Sequence, residues 1–248
     1  MKNLHSGERQ DDIGFGNLRL IQRPEDFCYG IDAVLLADFA ARNCCRPEAA
    51  AELGTGNGAA ALMFCHKSSV LRIVAYEVQS SAALLAERNV RMNGLEDRIE
   101  IKGRDIMDTA PADRGAFDAV ITNPPYMEKS TGITNADSAK HIARHETTAS
   151  LEDFIRIGGE MLKPGGSLFL VHRPLRLADI FVFGRSAGME PKLMRLVAPS
   201  EGKEPNIVLV KLTKGGGREL RIMPQLYVRE ANGRYSDEIE EIYERRQE

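Results

Sequence analysis

Apolar residues fall along this chain in blocks of two kinds, and the two kinds alternate. Residues 49–53, 70–76, 99–102, 117–122 and 167–172 are short runs rich in Val, Ile, Phe and Ala, the pattern of strands buried on both faces. Between them, apolar residues recur every three or four positions, as in helices that cover a sheet. These stretches are 59–66, 80–93 (with Gly94 placed to stop it), and a helix capped by Ser150 that runs through Leu162 and halts at Lys163-Pro164-Gly165-Gly166. The alternation predicts an α/β fold with a parallel sheet and helices on both faces. Ahead of it, residues 31–41 have helical spacing through Ile31, Val34, Leu35 and Phe39, with Asp32 in the first turn, where a carboxylate suits the helix dipole.

The two ends depart from this rhythm. Residues 1–12 read as a loose leader, and 13–23 alternate weakly, enough for a small hairpin. After a helix over 177–188, residues 192–197 and 207–212 read as strands around a polar loop, predicting an antiparallel C-terminal hairpin at the sheet edge. Residues 215–217, all glycine, read as a joint, and 237–246 as a charged terminal helix with a solvated face.

Composition narrows the class. A chain of 248 residues fits one α/β domain with a modest appendage, and 43% hydrophobic with 28% charged residues is ordinary for a globular protein. A net charge of -3 excludes a generally basic nucleic-acid coat but leaves room for a local basic patch. Cys28, Cys44, Cys45 and Cys65 form no CxxC pair, and no His or second Cys pair completes a zinc site, so reduced thiols are expected. The polar N-terminus lacks a signal-peptide core, and no stretch approaches the roughly 20 apolar residues that span a bilayer, which predicts a cytoplasmic protein.

The chemistry begins at Glu52-Leu53-Gly54-Thr55-Gly56-Asn57-Gly58-Ala59, between a predicted strand and a helix. Glycines there let the backbone turn sharply and approach a ligand. Glu77 ends the next strand about 20 residues on, where a carboxylate can grip ribose hydroxyls. The segment also satisfies G-x-G-x-x-G/A, so a dinucleotide site is formally allowed. Two acids tilt the balance toward S-adenosylmethionine (SAM). Glu52 would repel a pyrophosphate and welcome a cationic methionine end, and Asp105, after the third strand, offers an acceptor for an adenine amino group.

Asn123-Pro124-Pro125-Tyr126 follows the fourth strand, at the carboxyl edge where open α/β sheets bind ligands. An adenine or amide NH₂ is a poor nucleophile because its lone pair is conjugated. The Asn123 side-chain oxygen and the Pro124 carbonyl can each accept a hydrogen bond from it and favour charge building on the nitrogen. Pro124 and Pro125 stiffen the turn and present carbonyls rather than donors, while Tyr126 offers a flat face for a flipped base.

Together these features resemble the Rossmann-like class I SAM-dependent methyltransferases. Within them the chain is most similar to the small bacterial subfamily, built on a methyltransferase small domain, that includes tRNA1(Val) adenine-37 N6-methyltransferase. Further likeness lies in Phe27-Cys28-Tyr29-Gly30-Ile31-Asp32, in Ala143-Arg144-His145-Glu146, and in the tail with Tyr227, Gly233, Tyr235, Ile242 and Tyr243. The resemblance implies a mixed seven-stranded sheet and contacts to SAM from Tyr29, Gly30, Asp32, Glu52, Gly54, Gly56, Gly58, Glu77 and Asp105. It also implies catalysis by Asn123, Pro124, Pro125 and Tyr126. Ile31 stands where Thr is expected, which removes a possible hydroxyl contact. The implied division is a leader and hairpin over 1–26, the methyltransferase domain over 27–214, and an extension over 215–248 that packs on it. An RNA substrate, with tRNA foremost, is expected for a monomer or weak homodimer without metal or membrane.

Lys129, Lys140, His141, Arg144 and His145 fall in a loop of a length often used for function; the two histidines lack a third metal ligand. Arg173 and Arg176, after the fifth strand, form a second basic candidate for phosphate contact. Rival readings are glutamine methylation on protein, which in such enzymes comes with an N-terminal helical domain for which the short leader leaves no room; methylation of rRNA; DNA adenine methylation, which needs a target-recognition domain; and a non-catalytic SAM- or RNA-binding module, which would not need the Asn123 acceptor geometry.

Overall fold

In the computed structural model, which describes residues 4–14, 16–25, 28–109, 111–126 and 149–245, each apolar run becomes a strand of one sheet. Strands β3 (Ala49–Leu53), β4 (Arg72–Tyr76), β5 (Ile99–Lys102), β6 (Phe117–Thr122) and β7 (Leu162–His172) are parallel, in the order β5-β4-β3-β6-β7. The chain therefore winds outward from β3 to β5, then crosses back and starts again with β6 on the other side of β3. That reversal is the switch point at which open sheets leave a crevice at their carboxyl ends.

Successive strand residues point to opposite faces, and two cores follow from that alternation. Ala50, Ile73, Ala119, Ile121 and Phe169 pack with helices α1 (Ile31–Asn43) and α2 (Ala59–Lys67). On the other face Ala51, Val74, Val120 and Leu168 pack with α4 (Leu151–Met161) and Ile180 of α5 (Leu177–Ser186). Helix α3 (Ser80–Met92) contributes Val90 to the first core. Ser150 and Asp153 cap α4 reciprocally, each side chain accepting from the other's backbone N–H.

Four expectations are adjusted. The central sheet has nine strands rather than seven: β9 (Ile207–Lys214) inserts antiparallel between β7 and β8 (Met189–Ser200) as expected, and β10 (Arg221–Ile222) and β11 (Leu226–Arg229) then pair with β8 in parallel. The 12-residue β8 would otherwise leave a long unpaired edge, a liability that the returning chain covers. Strand β7 starts at Leu162 instead of Ser167. Phe117 aligns with Leu162 but Ala119 with Ser167, so residues 163–166 are looped out as a bulge rather than ending the helix ahead of a later strand.

The stretch read as a loose leader contains β1 (Arg9–Asp12), which pairs with β2 (Arg19–Gln22). Its sequence Arg-Gln-Asp-Asp carries no apolar signal, and its anchor comes from elsewhere. Asn89 of α3, fully buried, accepts from Ile21 N–H at 2.7 Å and donates to the carbonyls of Ile21 and Asn57 at 3.0 and 2.9 Å. Arg88 pairs with Glu8 at 2.7 Å and draws its carboxyl down to about 2. The terminal helix α6 (Asp237–Ile242) is shorter than expected and only one side of it is solvated, because Ile239, Ile242 and Tyr243 are buried in the first core at helical spacing. Among the described residues no helix is long and apolar enough to cross a membrane. The loop carrying Lys129, Lys140, His141, Ala143, Arg144, His145 and Glu146 lies outside the described residues, as does Phe27.

Candidate active site

The glycine loop leaves β3 with Gly54, Gly56 and Gly58 at φ 73°, 57° and 85°, a region that side chains with a Cβ rarely adopt. At Gly54 and Gly58 a Cβ would sit at ordinary contact distance, 3.4 Å from Phe154 and from Ala86 respectively, so the backbone conformation and not space is what calls for glycine. The loop is pinned by its backbone. Gly54 N–H and Thr55 N–H both donate to the Tyr76 carbonyl, at 3.0 and 2.9 Å. Gly56 N–H donates to the Glu77 carboxylate at 2.8 Å, whose other oxygen accepts from Gln79 N–H at 2.9 Å. Glu77 is thus the hinge between the loop and the end of β4.

Gly54, Glu77 and Asp105 line one cavity, with Val78, Ile106 and Phe154 as its apolar walls. Asp105 caps the short turn Ile106–Asp108 by accepting from Met107 N–H at 3.0 Å. A carboxylate beside a glycine loop, a second acid and apolar side chains between them are groups that a nucleoside calls for: acceptors for hydroxyls and an amino group, and apolar surface for a base. Phe154 and Ile106 were not singled out from the sequence. Ile106 sits directly after Asp105, but Phe154 is brought in by α4 from 49 positions further on.

Glu52 lies outside that cavity lining. It is 2% exposed beneath the loop, where it accepts from the Thr55 hydroxyl at 2.5 Å. Burial pushes its carboxyl up to about 8, against the hydrogen bonds from Thr55 and Ala61 N–H, with the charge of Glu77 adding to the rise. The expected negative charge is therefore a proton-bearing carboxyl near neutral pH. Tyr29 is half-buried and its N–H donates to the Gln22 side chain at 3.0 Å; Gly30 is the N-cap of α1 in an extended conformation. Asp32, one turn into α1, accepts a hydrogen bond from the Tyr126 hydroxyl.

On the other side of the switch point, Thr122 ends β6 in register with Leu53 and its hydroxyl donates to the Leu53 carbonyl at 2.9 Å. The glycine loop and the 123–126 turn thus spring from the ends of adjacent strands. Pro124 is buried, Pro125 exposed, and Asn123 and Tyr126 half-buried; among the described residues no hydrogen bond occupies the Asn123 amide. The Tyr126 ring meets His172 edge-on, with centroids 5.0 Å apart, and Arg173 lays its guanidinium 4.6 Å from the ring centre. Arg173 is itself tied to the Asn206 carbonyl at 3.0 Å, and Arg176 to Asp179 at 2.5 Å. His172 is 1% exposed with neither ring nitrogen hydrogen-bonded among the described residues. Burial, then the charge of Arg176, lowers its pKa to about 4, so the imidazole is neutral near pH 7.

A glycine loop flanked by two acids and an Asn-Pro-Pro-Tyr turn, springing from neighbouring strands of a Rossmann-like sheet with one antiparallel strand inserted near its edge, match the organisation of a class I SAM-dependent methyltransferase. Residues 29–181 match the family described as Methyltransferase small domain. The chain belongs to that family, and it is an enzyme that uses S-adenosyl-L-methionine. It is similar to the tRNA1(Val) (adenine(37)-N6)-methyltransferase of Parabacteroides distasonis, with 28% identity over 74% of this chain and 76% of the relative. The protein of that name from Porphyromonas gingivalis is 30% identical over 73% of this chain and 72% of its own. Among solved structures, one titled as a predicted O-methyltransferase from Agrobacterium tumefaciens superposes with a TM-score of 0.67 and 25% identity, covering 87% of this chain and 96% of the other.

Proposed function

We propose that this enzyme transfers the methyl group of SAM to the exocyclic N6 of an adenine in tRNA. The observation that carries the reading is the 123–126 turn, which begins beside the glycine loop with its Asn123 amide uncommitted among the described residues. Asn123 Oδ1 and the Pro124 carbonyl accept the two N–H bonds of the amine, which turns the nitrogen lone pair out of conjugation and stabilises the charge that forms there. Neither proline has an N–H, so the middle of the turn carries carbonyls without backbone donors beside them. Tyr126 supplies the surface on which the base is held in line. The bound cofactor supplies the methyl group on a sulfonium that is already a good leaving group, so the residues need only position and stabilise.

For the cofactor, Glu77 takes the ribose hydroxyls, Asp105 the adenine amino group, and Gly54, Gly56 and Gly58 allow close backbone approach. Tyr29, Gly30 and Asp32 are assigned to the methionine side, and Glu52 supports that side through Thr55. Arg173 and Arg176 lie on the rim where RNA phosphates would arrive. The names carried by the relatives favour tRNA adenine over the amide of a protein glutamine, which the turn could also accept. Incubation with radiolabelled SAM and total tRNA, rRNA, ribosomal protein or release factor separates these. Label is expected in tRNA; label confined to protein overturns the assignment.

A further inference from the structure

Tyr126 is gripped by three side chains from two places in the fold, the start of α1 and the end of β7. Its hydroxyl donates to Asp32 in the first turn of α1, its edge packs on His172 at the end of β7, and one face is covered by Arg173, which the Asn206 carbonyl anchors. Each contact removes a different freedom. A hydrogen bond from the para position stops the ring swinging, the steeply angled His172 ring stops it tilting, and the guanidinium covers one face. His172 makes the arrangement harder to explain as ordinary packing, because two unsatisfied ring nitrogens at 1% exposure are costly to bury. Asp32 is also two residues from the Gly30 cap and three from Tyr29, whose N–H is tied through Gln22 to the N-terminal hairpin. A single carboxylate thus joins the helix beside the cofactor to the ring beside the acceptor.

We propose that Asp32 is a positioning residue for the acceptor base: by holding the Tyr126 hydroxyl, with His172 and Arg173 completing the clamp, it fixes the plane on which the base stacks. The inference rests on the adenine reading above and adds to it a role for Asp32 beyond cofactor contact. A double-mutant cycle tests it, with tRNA kinetics and calorimetric SAM binding measured on Asp32→Ala, Tyr126→Phe and the pair. Loss of a hydrogen bond to a charged group should raise the tRNA KM about tenfold in each single variant, and the double should be no worse than either. The SAM Kd of Tyr126→Phe should stay within about twofold of the parent. Asp32→Asn keeps an acceptor oxygen and should recover most of the KM. Multiplicative losses in the double variant overturn the proposal, as does an Asp32→Ala effect confined to SAM binding.

A spectroscopic arm is independent of any substrate. The chain has 6 tyrosines, and the ring signal missing from Tyr126→Phe identifies that of Tyr126. In Asp32→Ala its chemical shift at neutral pH should move away from the parent's, and Asp32→Asn should bring it most of the way back; an unchanged shift in Asp32→Ala overturns the clamp. If the parent enzyme leaves tRNA unlabelled while the ring shift still depends on Asp32, the adenine reading fails and the clamp on Tyr126 stands.

Discussion

On the cofactor side the glycine loop is held by backbone groups close in the fold to its own strand: two N–H groups share the Tyr76 carbonyl and a third meets Glu77. Across the switch point, the Tyr126 end of the acceptor turn is held by side chains from α1 and β7, far away in sequence. Backbone anchoring makes the first half insensitive to all but a few substitutions. Side-chain anchoring leaves the second half adjustable, so that, with the proposed roles, single changes there are expected to alter acceptor use while cofactor binding persists.

The sharpest way to break that contrast is Asn123→Ala. It should lower kcat by about 100-fold or more, the scale seen when one oriented hydrogen-bonding group is removed from a transition state, while the SAM Kd measured by calorimetry stays within about threefold of the parent. Glu77→Ala strikes the other half. Gly56 N–H in the loop and Gln79 N–H after β4 lose their acceptor together with any ribose contact, so SAM should bind about ten- to a hundredfold more weakly. A Glu77→Ala enzyme with normal SAM affinity would show that the cavity is not the cofactor's.

Asn89→Ala orphans the backbone groups of Ile21 that bind the hairpin to α3, and chemical denaturation should show a loss of about 2–3 kcal/mol. At Glu52 the expected effect is a pH dependence rather than a lost contact. Its carboxyl is held up to about 8, so the native chain keeps a proton that the unfolded chain releases above about 4.5. The stability linked to that proton is complete below about pH 4.5 and is lost as pH rises toward 8, at most about 1.4 kcal/mol per pH unit. Glu52→Gln should flatten that slope in denaturation curves taken from pH 5 to pH 8; an unchanged slope would place the titrating group elsewhere.

What was legible in the sequence follows the same division. The parallel strands, their helices and the positions of Gly54, Glu77 and Asp105 could be read because each is local: an apolar run, a glycine cluster, or an acid at a strand end. The hairpin strand β1 could not, since its four polar residues carry no period and it forms only because Asn89 and Arg88 of α3 hold its flanks. The Asp32–Tyr126 contact was likewise hidden, because 94 residues separate its partners and Asp32 has a sufficient local explanation as a first-turn acid. Burial also changed the sense of Glu52, which the sequence shows only as an acid before a glycine: its charge near neutral pH depends on the absence of water around it.

The central claim is about one atom, an exocyclic nitrogen accepted by Asn123 and Pro124. It is tested most directly by incubating the enzyme with unmodified tRNA and SAM bearing a deuterated methyl group, then digesting the RNA to nucleosides for mass spectrometry. Label is expected in N6-methyladenosine, in amounts that vanish with Asn123→Ala. Label recovered on a ribose oxygen, or on a ring nitrogen, would contradict it.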